Sequence, residues 1–278
     1  MISVSTIKKT SIRGHYDLAT PFYRLLWGPH IHHGLWLNDT ATPYQAQCEL
    51  TDTLAELAGI TNKDKVLDVG CGMGGSSIRL ASQRGCQCHG VTLSPVQKRW
   101  ATISAMLKGL SRRVQFQTAD IENIELGENG FDVLWSVECT EHLYDKPKFF
   151  QQTGKWVRSG GRLAIVVWFQ GSSPSSPGHQ ERVEELCQRF VCPSFATVSE
   201  HTSWLTAAGF DSITHHNWSQ HAAKTWKICR QRVKKTGIDY LAKWISREQV
   251  DFLNGFDKLI AAFENGDMEY GALIARRS

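Results

Sequence analysis

The alternation of apolar and polar positions divides the chain into a lead-in, a regular middle and a more helical second half. Lys65–Val69 is a short apolar run that ends on glycines, the pattern of a buried strand. Ser76–Gln83 predicts a helix and Cys86–Leu93 a second strand. Pro95–Gly109 predicts a helix with Ser94 as N-cap and Pro95 in the first turn. Val114–Thr118 and Phe131–Val137 read as strands, Lys146–Val157 as a helix and Arg162–Phe169 as a fifth strand. Strands and helices alternating at this spacing imply βαβ units and a parallel sheet. Ahead of them lies an aromatic and histidine-rich stretch, residues 7–44, with one aromatic face, then a helix from Cys48 closed by Gly59. After the fifth strand, Gln170–Gly178 is a Ser/Pro/Gly loop. Glu181–Phe190 and Ser199–Ala208 predict helices, and the chain reads as mostly helical up to Thr214. Helices are expected again from Gln220 to about Glu264, with Tyr270–Arg276 as a final edge strand. The late helices suggest a cap built onto the sheet.

Composition narrows the class. A chain of 278 residues, 41% hydrophobic and 21% charged, has material for one large domain with an inserted cap. A net charge of +4 is too small to imply a nucleic-acid partner. The basic run Arg230–Lys235 reads as a solvated helix face. None of the 8 cysteines forms a CxxC pair, and the Cys86/Cys88 spacing suits zinc poorly, so buried free thiols in a cytoplasmic compartment are expected. The first residues lack the apolar core of a signal peptide, and no run of about 18 apolar residues exists to span a bilayer.

The chemistry concentrates around Val66–Gly75. Gly70 and Gly72 permit positive φ and close approach of the backbone to a ligand, and the helix that follows offers amides to a carboxylate or phosphate. Gly70, Gly72 and Gly75 also fit a dinucleotide fingerprint. Two features oppose that reading. Asp68 stands two residues ahead of Gly70, where its charge suits the ammonium of S-adenosylmethionine and not a pyrophosphate. The next strand ends Gly90-Val-Thr-Leu-Ser94, without the acid that a NAD site needs. Asp120, after the third strand, is placed to accept from the adenine amine or to cap a helix; Ile121 follows it, and Ser136 and Glu138 at the fourth strand end complete the expected cofactor wall.

Leu67–Ser77, Gly90-Val-Thr-Leu-Ser-Pro-Val-Gln97 and Trp135-Ser-Val-Glu-Cys-Thr-Glu-His142 resemble class I S-adenosylmethionine-dependent methyltransferases. Trp27–Trp36 is similar to a segment ahead of the domain in the γ-tocopherol methyltransferase-like group, which is related to sterol methyltransferases and cyclopropane-fatty-acid synthases. The likeness spans roughly residues 12–205. It implies an α/β Rossmann-like class I methyltransferase fold with a mostly parallel seven-stranded sheet, a helical N-terminal lid (residues 1–60), a cofactor-binding core (61–170) and a late helical cap with the final strands (171–278). It further implies that Thr92, Leu93 and Gln97 contact the adenosine, and that Tyr16 and the turn His33, Gly34 and Trp36 close over the methionine end. From the residues alone the aromatic cluster equally reads as core packing, and Gln97 as an exposed helix position.

The fourth strand ends beside the cleft, so Glu138, Glu141 and His142 border it. Imidazole titrates near neutrality, which makes His142 the candidate base, with Glu141 assisting. Against this, both residues could simply cap the next helix, and an amine that binds neutral needs no base. His30, His32 and His33 have no acidic neighbour in sequence and are not expected to hold a metal. Trp168, Phe169, Phe190, Phe195, Trp204 and Trp218, with the aromatic lead-in, are the expected acceptor pocket. The expected activity is O- or N-methylation of a small, fairly apolar metabolite: a tocopherol-like phenol, an alkaloid or another natural product. The alternatives are C-methylation of an alkene or aromatic ring and, more remotely, a NAD-dependent oxidoreductase. The expected partner is a small-molecule methyl acceptor, with no nucleic acid and no integral membrane segment.

Overall fold

The computed structural model describes residues 1–172, 177–237 and 247–278. In chain order they form β1 (Ile2–Ser3), α1 (Lys9–Leu26), α2 (Pro43–Leu57), β2 (Lys65–Val69), α3 (Gly75–Arg84), β3 (Gln87–Thr92), α4 (Pro95–Leu107), β4 (Val114–Thr118), β5 (Phe131–Val137), α5 (Lys146–Trp156) and β6 (Val157–Gln170). There follow α6 (His179–Arg189), β7 (Ser194–Phe195), α7 (Val198–Ala207), β8 (Phe210–Asn217), α8 (Ser219–Ala222), α9 (Lys224–Thr236), α10 (Arg247–Glu264) and β9 (Met268–Arg277). The predicted loop over Gln170–Gly178 and the predicted helices from Gln220 to about Glu264 each lie partly outside the described residues.

Seven strands form one sheet in the order β4-β3-β2-β5-β6-β9-β8. The run from β4 to β6 is parallel, and β9 is antiparallel to both β6 and β8. Successive strand residues feed opposite cores: Val66, Trp135 and Trp168 face one layer with Leu50, Leu186 and Trp226, whereas Leu67, Leu134 and Phe169 face the other with Phe149 and Leu205. Local signals start the helices. Ser94 Oγ accepts the Gln97 N–H ahead of Pro95, as predicted, and Thr42 with Gln45 forms a capping box on α2. Strand order reverses between β2 and β5, which places a crevice at their carboxyl ends.

Two expectations are corrected. Tyr270–Arg276 is not an edge: β9 lies between β6 and β8. The edge is β8, whose first half falls in the stretch read as mostly helical up to Thr214; only Phe210 along it is buried, so it carries no apolar alternation. Among the described residues, no helix is long and apolar enough to cross a membrane.

Candidate active site

Two cavities meet at the carboxyl ends of the central strands. The first lies over the glycine turn. Gly70 and Cys71 N–H both donate to Val91 O, which folds the end of β2 against β3. Gly70 (φ +74°) is packed so closely on Cys139 that no side chain fits there. A Cβ on Gly72 (φ +52°) would instead meet only Ile31 Cδ1, at 3.7 Å, so its absence leaves room in the cavity. Asp68 lines the same cavity, is 2% exposed and accepts from Ser77 Oγ at 2.5 Å. Burial raises its pKa to about 7, against the opposing bonds from Ser77. A buried carboxylate bonded only to neutral donors suits a cationic ligand such as an ammonium.

Thr92, Leu93, Gln97, Asp120 and Ile121 all line this cavity. Gln97 is buried, not exposed, and its Oε1 accepts from Thr92 Oγ1 at 2.8 Å. Asp120 already accepts from Lys9 Nζ (2.6 Å), Asn123 Nδ2 (2.6 Å) and the Glu122 N–H (3.1 Å). Lys9 also binds Glu122 at 2.7 Å, and Ser94 Oγ donates to Asp17 Oδ1 at 2.5 Å. These contacts pin α1 across the cavity.

The second cavity is aromatic. Phe22, Tyr23, Trp27, Trp168, Phe190, Trp226, Phe252 and Phe256 dominate its wall. Of the residues expected there, Trp168 and Phe190 belong to it. Phe195 stacks behind Trp168, Phe169 and Trp204 pack in the other core layer, and Trp218 is in the core beneath. Helices were expected in this region, but not Trp226 of α9 or Phe252 and Phe256 of α10 as part of the acceptor wall. Arg232, read as part of a solvated face, lines the cavity and lies 4.8 Å over the Trp27 ring.

Tyr16, Ile31, Glu138 and His142 line both cavities. His142 Nδ1–H donates to Val191 O (3.1 Å), so Nε2 is the acceptor for the Tyr16 hydroxyl at 2.8 Å. Burial pushes the His142 pKa down to about 4 and the Tyr16 phenol well up, so both are neutral at pH 7. Val191 is β-branched yet has φ +54°, a costly conformation that aims its carbonyl at the imidazole. Glu138 also has positive φ (52°); its Oε1 accepts from His33 N–H (2.7 Å) and Tyr270 OH (2.7 Å) and lies 2.9 Å from His33 Nδ1. Burial raises its pKa, but the His33 and His32 charges and these bonds prevail and hold it at about 2.

Other predicted residues lie elsewhere. His33 and Glu141 line the aromatic cavity and not the glycine-turn cavity. Glu141 Oε1 accepts the Trp168 N–H at 2.5 Å, and burial raises its pKa to about 8, which keeps it protonated at neutrality. Gly34 N–H and Trp36 Nε1 donate to Thr225 Oγ1, at 3.1 and 2.9 Å, so that turn braces α9. Ser136 Oγ donates to Val69 O at 2.9 Å and ties β5 to β2. These three do not reach the glycine-turn cavity. His30 and His32 bond each other (3.0 Å), and the described residues contain no group of three or more side chains placed to hold a metal. Lys9, Asp17, Val191 and Tyr270 went unnoticed in the sequence, because each acts through a partner far along the chain.

The family of mycolic acid cyclopropane synthetase matches residues 4–265. The chain belongs to that family. It is an S-adenosylmethionine-dependent methyltransferase of class I. The tocopherol O-methyltransferase of Arabidopsis thaliana is 31% identical over 293 residues, covering 99% of this chain and 84% of the relative. The norajmaline N-methyltransferase of Rauvolfia serpentina is 26% identical, covering 98% of this chain and 99% of the relative. Among solved structures, the [4+2]-cyclase SpnF superposes with a TM-score of 0.84 at 24% identity, over 99% of this chain and 98% of that one, a likeness of fold. These relatives carry out different reactions, so the methyl acceptor has to be argued from the cavity.

Proposed function

We propose that this methyltransferase modifies an oxygen or nitrogen of a small, fairly apolar metabolite, such as a tocopherol-like phenol or an alkaloid, in the cytoplasm. The observation that carries the reading is the shared wall. A polar cavity suited to the donor and an aromatic cavity suited to the acceptor touch at Tyr16, Ile31, Glu138 and His142.

S-adenosylmethionine, when bound, supplies an already activated methyl. Asp68 would hold its ammonium, Gly70 and Gly72 let the backbone approach, and Thr92, Leu93, Gln97 and Ile121 would enclose the adenosine. The chain's own chemistry is positioning and proton removal. An acceptor O–H or N–H at the shared wall gives its proton to the Tyr16 oxygen while Tyr16 passes its own to His142 Nε2. The Val191 carbonyl keeps Nδ1 protonated and so holds Nε2 ready. Glu141, protonated and turned to the acceptor side, is a donor toward the acceptor and not a base.

C-methylation is the second reading, favoured by one observation. The ionised Glu138 and the rings of Trp168 and Trp226 line the same cavity and would stabilise a carbocation. Methyl-labelled cofactor incubated with phenols, amines and prenyl lipids, followed by product NMR, separates the two. Label on oxygen or nitrogen is the expected result; label on carbon rejects the first reading.

A further inference from the structure

A strip of large apolar side chains stands exposed on two neighbouring helices. On α4, Trp100, Ile103 and Leu107 follow a helical stripe, joined by Met106; Leu107 is 78% exposed. The opposite face of α4 is buried through Gln97, Ala101 and Ala105. α1 packs against α4 and exposes Leu18 and Leu25, the latter 82% exposed. Leu18 also lines the aromatic cavity. Residues 95–113 carry Lys98, Arg99, Lys108, Arg112 and Arg113 and no acidic residue. The whole chain carries 31 positive and 27 negative side chains, nearly balanced, so this segment is a local excess.

Exposed tryptophan and leucine flanked only by cations match the boundary of a membrane carrying negative charge. We infer that the outer face of α4, with the adjoining edge of α1, docks on an anionic lipid bilayer, with Trp100 and Leu107 seated among the headgroups and Arg99, Lys108 and Arg112 against lipid phosphates and carboxylates. The inference rests on the surface alone and holds whichever atom is methylated.

The full chain is sedimented with phosphatidylcholine vesicles, with and without phosphatidylserine. Binding is expected only when phosphatidylserine is present, and it should fall in high salt. Arg99→Gln and Lys108→Gln should each weaken it about fivefold, and Leu107→Glu more than either. S-adenosylhomocysteine binding should be unchanged in all three, because none lines the cofactor cavity. Should Leu107→Glu lose that binding through misfolding, the two charge variants still decide. Equal binding to both vesicle types, binding to neither, or indifference to the charge variants overturns the inference. So does a dimer, seen by light scattering, that Leu107→Glu dissolves, since the face would then belong to a second copy of the chain.

Discussion

Asp68 makes the affinity for the cofactor depend on pH in a calculable way. Without a ligand its pKa is about 7, raised by burial. An ammonium beside it favours the ionised form and should return it to the ordinary carboxylate range of about 4. The ligand therefore selects the deprotonated enzyme, and affinity falls as pH drops through 7. Between pH 7.5 and 5.5 the loss should be about 25-fold, or about 1.9 kcal/mol, with the slope nearing one proton per pH unit at the acid end. The window lies below the ordinary α-amino pKa of about 8, so the ligand keeps its charge. Glu138 at about 2 and His142 at about 4 titrate below the window. The assay is calorimetric titration with S-adenosylhomocysteine, which carries the same ammonium. Asp68→Asn should bind about 10–100-fold more weakly at pH 7.5, as expected for loss of a charged hydrogen bond, and should show no slope. A flat profile in the unmodified protein, or a slope that survives in Asp68→Asn, refutes the argument.

His142→Ala should lower turnover about 100- to 1000-fold with cofactor affinity nearly kept, and Tyr16→Phe should do the same, measured by single-turnover methyl transfer; loss of cofactor binding in either would rule out the relay. Gly72→Ala should cost about 1 kcal/mol of stability and weaken cofactor binding, whereas Gly70→Ala should cost more stability through its clash with Cys139, about 1–3 kcal/mol beyond the strain; thermal melts with and without ligand separate the two. Lys9→Met should speed dissociation of S-adenosylhomocysteine in stopped flow, and an unchanged rate would show that its ion pairs do not hold α1 closed.

The parts of this molecule that can be read along the chain are those whose cause is local. Val66–Val69 is buried on both faces and therefore uniformly apolar, and Ser94-Pro95 caps and starts a helix within four residues. The glycine turn is likewise a local event. β8 escaped because an edge strand with only Phe210 buried has no apolar period, and its positive-φ Ser212 falls where the pairing to β9 shifts. The place of β9 inside the sheet follows from pairing with β6, which no spacing reveals. The site divides in the same way. Asp68 and His142 stand out by type and position, but the tautomer of His142 depends on a carbonyl 49 residues later. Ser136 and Trp36 lie in the right motifs, yet their bonds to Val69 and Thr225 turn them into struts.

α1 has a part in both chambers: Lys9 and Asp17 fasten it over one, Phe22 and Tyr23 roof the other, and Tyr16 belongs to each. A single rigid-body movement of this helix would unseal donor and acceptor together. Substrates would then arrive, and products depart, in one shared event.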